Sequence, residues 1–523
     1  METTVLVEFL LLLLIAASLI WMAARKLRLP YTIALVFGGF LIDFFHLPIV
    51  EHLGGGDSSG WLTPDIIFMV FLPGLLFEAG ININVRTLLD NLKPILLVAV
   101  VGVVVATVVT GYAVSWVTQL PLAIALVYGA LISATDPISV LALFKQLGVT
   151  KRLSVLVEGE SLFNDGAAVV LFQILVAAAV TGQFSVGAGI VKFLIVALGG
   201  AAVGLGLGYV VSRVTERIDD PQVEITLTTI LAYGSFLLAE HFLHVSGVIA
   251  TVAAGLMIGN FGAKVGMSSR TRVALWSFWE YVGFVINSLI FLLIGIEVHI
   301  MDLVDYWQPI ALAIGAVLIG RALAVYTVVP IANRMSEPIS RSWQHVMTWG
   351  GIHGGVSIAL ALSLRSDFPH RESIMAMTFG VVAFSIIVQG LTIPPFLRWL
   401  GIESGSESEY DQVRVAQSAV ARALEELEVM RADHVVSPPV YDKLRAELRG
   451  DQAQVEDRIK SLHQANAHWA EEEERLARAR LLRAEKTAIQ SAVTDGLISH
   501  HTAEDLIAQA DDKLDDLTGV GHA

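Results

Sequence analysis

The sequence predicts an all-α polytopic membrane protein. Thirteen transmembrane helices form two six-helix inverted repeats with crossed broken helices, and a C-terminal helical cytoplasmic tail follows. Three observations predict this. The 523 residues are 55% hydrophobic, with a mean hydropathy of +0.67, and the apolar residues gather in runs of about twenty, enough to cross a hydrocarbon core. Lys and Arg fall mainly in alternate connections between the runs. Two runs are interrupted at corresponding places, one by Pro137 and one by a cluster of glycines.

The first run, Val5 to Ala23, has no basic segment ahead of it and no small-residue cleavage site behind it, so it reads as a retained helix rather than a signal peptide. Further stretches follow at about 31–46, 63–82, 94–117, 121–144, 154–181, 185–212, 223–243, 246–262, 278–298, 308–332, 343–364 and 372–396. Arg25, Lys26 and Arg28 follow the first span, Arg86 and Lys93 the third, and Lys145, Lys151 and Arg152 the fifth. Arg213 and Arg217, then Lys264, Arg270 and Arg272, then Arg334 and Arg341, and finally Arg398 continue the alternation. Connections such as Glu51 to Gly60 lack such residues; Arg365 and Arg371 are the exception. The rule that positive charge stays inside then gives an outside N-terminus and a cytoplasmic tail, in the cell membrane.

The tail starts with a Ser- and Glu-rich linker, Ile402 to Tyr410, and Ala416 to Met430 has helical periodicity. Ser437-Pro438-Pro439 marks a helix start, with Ser as cap and Pro in the first turn. A long helix from about Val440 to Arg483 is expected, then two short ones over Ala484 to Leu514 turning at Asp495-Gly496. Its apolar stripe (Leu444, Leu448, Ile459, Leu462, Leu476) is too irregular for a coiled coil, which leaves either a solvated appendage or a regulatory or dimer-contacting domain. From Ile402 onward the tail holds 25 acids against 14 Lys and Arg, so the first 401 residues carry only −4 of the total −15. Nucleic acid is therefore not a partner, and anionic lipid would repel the tail. The absence of cysteine excludes disulfides, thiolate catalysis and zinc–thiolate sites.

Span six carries Glu158-Gly159-Glu160-Ser161-Leu162-Phe163-Asn164-Asp165-Gly166. Asp165 lies roughly 16 Å along the helix from the membrane entry, near mid-bilayer. Acids at that depth are costly, so function is the default reading. A proton or a small cation can neutralise such a carboxylate, and their competition could run a transporter. Asp165, Ser161 and Glu158 share one helical stripe. Glu160 lies about 140° away from Asp165 and Asn164 about 100°. Glu160 needs a partner there, and Arg321, in the middle of span eleven, is the candidate for a structural pair. The competing arrangement pairs Asp165 with Arg321.

Span five contains Ser133-Ala134-Thr135-Asp136-Pro137, where Pro137 opens the helix and frees carbonyls beside a carboxylate. Span twelve carries Gly350-Gly351-Ile352-His353-Gly354-Gly355. With spans one to six and eight to thirteen as repeats, five lies opposite twelve. Such paired interruptions point to a transport site at a repeat interface. Glu78 in span three either gates the cytoplasmic approach or snorkels to the interface. Glu280 and Asn287 are expected in polar helix–helix contacts, and His241 and His244 as interfacial histidines. Gly204-Leu205-Gly206-Leu207-Gly208 suits small-residue helix packing better than a phosphate loop.

At this point the chain resembles the monovalent cation:proton antiporters of the sodium/proton exchanger type, the bacterial NhaP-like branch with Asn-Asp. The carriers are Phe71 to Gly80, the Ala-Thr-Asp-Pro run at 134–137, the run at 158–166, Phe291 to Glu297 and the glycine run of span twelve. The resemblance implies a thirteen-helix inverted-repeat homodimer with a core domain moving against a dimerisation domain. It implies electroneutral exchange of Na⁺, or of Li⁺ or K⁺, for H⁺, with Asn164 where electrogenic relatives carry Asp. Asp165 holds one cation or one proton in that reading, with Thr135, Ser161 and Asp136 completing an oxygen shell for Na⁺. Family members usually carry Arg where this chain has His353, which either senses pH or leaves the core one positive charge poorer. No cofactor and no enzyme activity are expected. A cation channel would need filter carbonyls or acidic rings, and an intramembrane enzyme a nucleophile–base pair; neither pattern is found.

Overall fold

The computed structural model describes residues 3–27, 30–45, 66–183, 185–218, 220–263, 266–297, 305–402 and 406–465, with scattered positions beyond. The Glu51–Gly60 connection and the expected turn at Asp495-Gly496 lie outside the described residues. The chain divides into two compact units, Met1–Glu403 and Ser404–Ala523.

The first unit runs through α1 (Thr3–Leu27), α2 (Tyr31–Phe44), α3 (Ile67–Asn82), α4 (Val85–Asp90), α5 (Leu92–Thr118), α6 (Leu122–Ile132) and α7 (Ile138–Leu147). It continues with α8 (Lys151–Thr181), α9 (Val186–Thr215), α10 (Pro221–Phe242), α11 (Gly247–Gly262), α12 (Ser269–Glu297) and α13 (Trp307–Ala332). It closes with α14 (Arg341–Trp349), α15 (Gly355–Leu362) and α16 (Arg371–Trp399). No strand occurs among the described residues. Seven helices, α5, α8, α9, α10, α12, α13 and α16, are long and apolar enough to cross a membrane, and α2, α3, α6 and α11 are shorter apolar helices. The fifth and twelfth apolar stretches are each two half-helices, broken at 133–137 and 350–354.

Small residues set how closely these helices approach, since lipid offers no hydrophobic drive to bring them together. Gly39 of α2 faces Gly295 of α12, each lying against the other helix's backbone. Gly80 of α3 and Gly255 of α11 meet in the same way. Gly200, Gly204 and Gly208 of α9 lie against the α11 side, as small-residue packing requires, while Gly206 faces open space. Five turns among the described residues widen to π geometry, at Ile67–Phe71, Leu97–Gly102, Leu238–Phe242, Ile258–Gly262 and Ser385–Gln389. Apolar periodicity does not reveal such turns, which often lie at functional sites.

Among the described residues, the second unit contains a helical hairpin, α17 (Ser406–Ala432) and α18 (Pro438–Ala465). Tyr441 is buried; its hydroxyl donates to Glu428 at 2.6 Å, and the Arg431 guanidinium lies 4.3 Å from its ring centroid. Contacts between the end of α17 and the start of α18 define an antiparallel pair. α17 begins inside the stretch read as a linker. α18 starts where the Ser437-Pro438 signal places it. Most of the expected continuation to Arg483, and of the Ala484–Leu514 helices, lies outside the described residues.

Candidate functional site

The two breaks cross. The Asp136 amide donates to the Ile352 carbonyl at 2.6 Å. His353 Nδ1 lies 3.0 Å from the Ala134 carbonyl, which also accepts from Ser357 Oγ at 3.2 Å. Broken helices leave carbonyls and amides without helical partners, and these need others inside a membrane. Asp136 Oδ1 caps α7 by accepting from the Ile138 amide at 2.9 Å. At the end of α14, Arg321 Nη2 donates to the Met347 carbonyl at 3.0 Å, and Gln389 Nε2 to the Trp349 carbonyl at 3.0 Å. Ser385 Oγ accepts from the His353 amide at 3.1 Å. Ser357, Ser385 and Gln389 are support residues that motif reading missed, because nothing in sequence separates them from other small polar groups in apolar helices.

α8 passes this crossing unbroken. Arg321 grips Glu160 through both guanidinium nitrogens, at 2.7 and 2.8 Å, with Glu160 almost fully buried. The pair is therefore Glu160–Arg321, not Asp165–Arg321. Asn164 Nδ2 donates to Thr135 Oγ1 at 3.1 Å and to Glu160 Oε1 at 3.2 Å. Ser161 Oγ donates to the Thr135 carbonyl. The Thr135 hydroxyl is thus already an acceptor for Asn164, a link that helical geometry alone did not give. Both Thr135 oxygens keep a second lone pair.

Two spaces flank Thr135. On one side lies a cavity of about 480 Å³, lined by Thr135, Asp136, Ser161 and Asp165 and also by Glu158, Glu78, Glu280 and Asn287. On the other a space of about 10 Å³ touches Thr135, Asn164, Arg321 and His353, room for about one water at most. Glu78, held by Asn82 Nδ2 at 2.7 Å, lines the large cavity. Glu280 and Asn287, read as helix–helix contacts, line it as well. Their common face on one apolar helix marks them as a polar pair, but not which neighbour that face meets. His353 is buried and lines the small space.

Asp165 Oδ1 is buried and has no hydrogen-bond partner among the described residues. Asp136 and Glu160 are its like-charged neighbours. The polar side chains of Thr135, Asp136, Ser161 and Asp165 that border the cavity all offer oxygen, a donor set for hard cations rather than for zinc or copper. Among the described residues, no three His, Cys, Asp or Glu side chains gather as a metal cluster. The arrangement can hold one small cation or one proton, and a cavity supplies it from one side.

The sodium/hydrogen exchanger transmembrane family profile matches residues 11–399. The chain belongs to the sodium/hydrogen exchanger family. It is a membrane protein of that family, similar along most of its length to the Na⁺/H⁺ antiporter NhaG of Bacillus atrophaeus, 38% identical over 92% of each chain. The Na⁺/H⁺ antiporter NhaH of Halobacillus dabanensis is 42% identical over 76% of this chain and 98% of its own. In fold, this exchanger chain is similar to the sodium proton antiporter MjNhaP1 of Methanocaldococcus jannaschii, with a TM-score of 0.64 at 20% identity over 77% of this chain and 100% of that one.

Proposed function

We propose that the chain is a secondary antiporter exchanging Na⁺ for H⁺ across the cell membrane, with Asp165 holding the two in turn. The observation that carries this reading is the buried, unpartnered Asp165 carboxylate oxygen, which borders a cavity beside two crossed helix breaks. Na⁺ rather than K⁺ or Li⁺ is favoured by the names of the relatives. Ser161, Thr135 and Asp136 supply further oxygens. Glu160–Arg321, with Asn164 and His353, holds the side away from the large cavity, and Glu78 lines the approach.

The molecule crosses the membrane thirteen times, N-terminus outside, as two inverted repeats. The glycine contacts support this. Exchanging spans two and three for nine and ten turns the Gly39–Gly295 contact into the Gly255–Gly80 contact, with matching backbone neighbours in both. The large cavity reaches Asn82, at the end of α3 that Arg86 and Lys93 follow, so it opens to the cytoplasm. Transport proceeds by alternating access in a homodimer, one Na⁺ for one H⁺, with residues 401–523 as a cytoplasmic regulatory or dimer-contacting tail. The test is ion exchange by purified protein in lipid vesicles under Na⁺, K⁺ and Li⁺ gradients, wild type against Asp165→Asn. The variant is expected to lose exchange of all three, and undiminished exchange would sink the reading.

A further inference from the structure

A second groove lies away from the ion cavity, on the other side of α8. Its volume is about 740 Å³, within the range of roughly 300–1,000 Å³ typical of small-molecule sites. Its walls are Phe163 of α8, Leu205 of α9, Ile249 and Met257 of α11, and Leu89 of α4, with Arg86 at its rim. Phe163 and Asp165 are two residues apart on an unbroken helix, about 200° of rotation, so the groove meets the back of the helix that presents Asp165 to the cavity. Leu89 and Leu205 are exposed.

Arg86 is also exposed, and its guanidinium makes no hydrogen bond or ion pair with a described residue. The polar group beside it is already engaged: Asn260 accepts from the Val85 amide at 2.9 Å and donates to the Ile83 carbonyl at 2.9 Å, pinning the start of α4 to α11. Among the described residues that line this apolar slot, Arg86 is thus a cation with no partner. Arg213 and Arg217 follow α9 at the same end of the bundle as Arg86 and Lys93, where positive charge meets anionic headgroups.

The geometry points to a binding site for one anionic phospholipid of the cytoplasmic leaflet. One of its acyl chains fills the slot between α8, α9 and α11, and its phosphate meets Arg86. A guanidinium presents planar paired donors that match a phosphate. The lipid acts as a wedge between the helix that carries the ion site and helices outside it. Any movement of α8 against α9 and α11 reshapes the slot, so the lipid binds the two arrangements unequally and shifts their populations. Binding rests on the membrane placement of the family and not on which ions are exchanged.

The test uses full-length protein in detergent, stripped of lipid and titrated with phosphatidylglycerol or phosphatidylcholine, with bound lipid counted by native mass spectrometry. Wild type is expected to retain one phosphatidylglycerol in preference to phosphatidylcholine. Arg86→Gln should weaken that retention about tenfold, the effect of one lost charge-assisted contact. Leu205→Trp, which fills the slot from an exposed position, should abolish retention of both lipids there. Equal retention of the two lipids by wild type, or phosphatidylglycerol retention unchanged in both variants, overturns the proposal. Because the readout is lipid mass, loss of ion exchange in Asp165→Asn protein has no bearing on it.

Discussion

The division of labour among three neighbouring polar residues of α8 is decided by direction. Glu160 is committed to Arg321, and a buried pair loses roughly 3–5 kcal/mol when one partner is removed. Arg321→Gln should therefore lower the unfolding temperature of the solubilised protein more than the double variant Glu160→Gln/Arg321→Gln does. Equal losses in thermal melts would mean that the pair is not a unit. Asn164 contributes its amide hydrogens, to Thr135 Oγ1 and Glu160 Oε1. An aspartate there loses both donors and puts a like charge beside Glu160. Asn164→Asp is thus expected to cut the exchange rate in vesicles by about tenfold or more. A fully active variant would show that the amide donors are dispensable. His353 Nδ1 stands by the Ala134 carbonyl, with Arg321 as its charged neighbour. His353→Arg adds a second cation to that closed corner, so slower exchange and a changed pH profile are expected. An unchanged rate and profile would remove His353 from the mechanism.

At the scale of elements, the helices are joined through glycine contacts and through the crossing of the two breaks. Placing a valine at Gly295 drives its side chain into the Val36–Gly39 backbone of α2, and overpacking of this kind costs about 1–3 kcal/mol. Gly295→Val and Gly255→Val should both lower the melting temperature. Gly206→Ala, with nothing near the added methyl, should leave it unchanged and serves as the control. Element positions were readable in sequence where a strong local cause exists. Pro137 and the four glycines at 350–355 predicted both breaks, and Ser437-Pro438 predicted the start of α18. Three features were not readable for physical reasons. A π turn needs no special residue, the α17 start at Ser406 lies in a Ser- and Glu-rich stretch that resembles linker composition, and the cavity roles of Glu280 and Asn287 depend on which neighbour their face meets. The Asn164–Thr135 bond belongs with these, since it joins residues 29 positions apart.

At the scale of the whole molecule, the decisive quantity is the charge moved per cycle. In the proposed mechanism, with Asn164 unable to ionise and Glu160 held by Arg321, Asp165 alone exchanges its occupant. One Na⁺ leaving as one proton arrives carries no net charge across the membrane. The same carboxylate must release its proton before it accepts Na⁺. The apparent Na⁺ affinity should therefore weaken as pH falls, while at high pH proton binding becomes scarce and limits the return step, so the rate passes through an optimum. A net charge would feel the membrane field by about 2.3 kcal/mol per 100 mV, roughly a fiftyfold shift in the equilibrium ion ratio. Vesicles with a K⁺ gradient and valinomycin set that potential directly, and Na⁺ uptake against a fixed pH gradient reads the response. The expected result is the same final Na⁺ ratio with the potential applied and abolished. A ratio that follows the applied voltage would mean that a second proton moves. Glu78, Glu158, Asp136 and Glu280, the other acids that line the cavity, would then be the groups to neutralise one at a time until the voltage dependence disappeared.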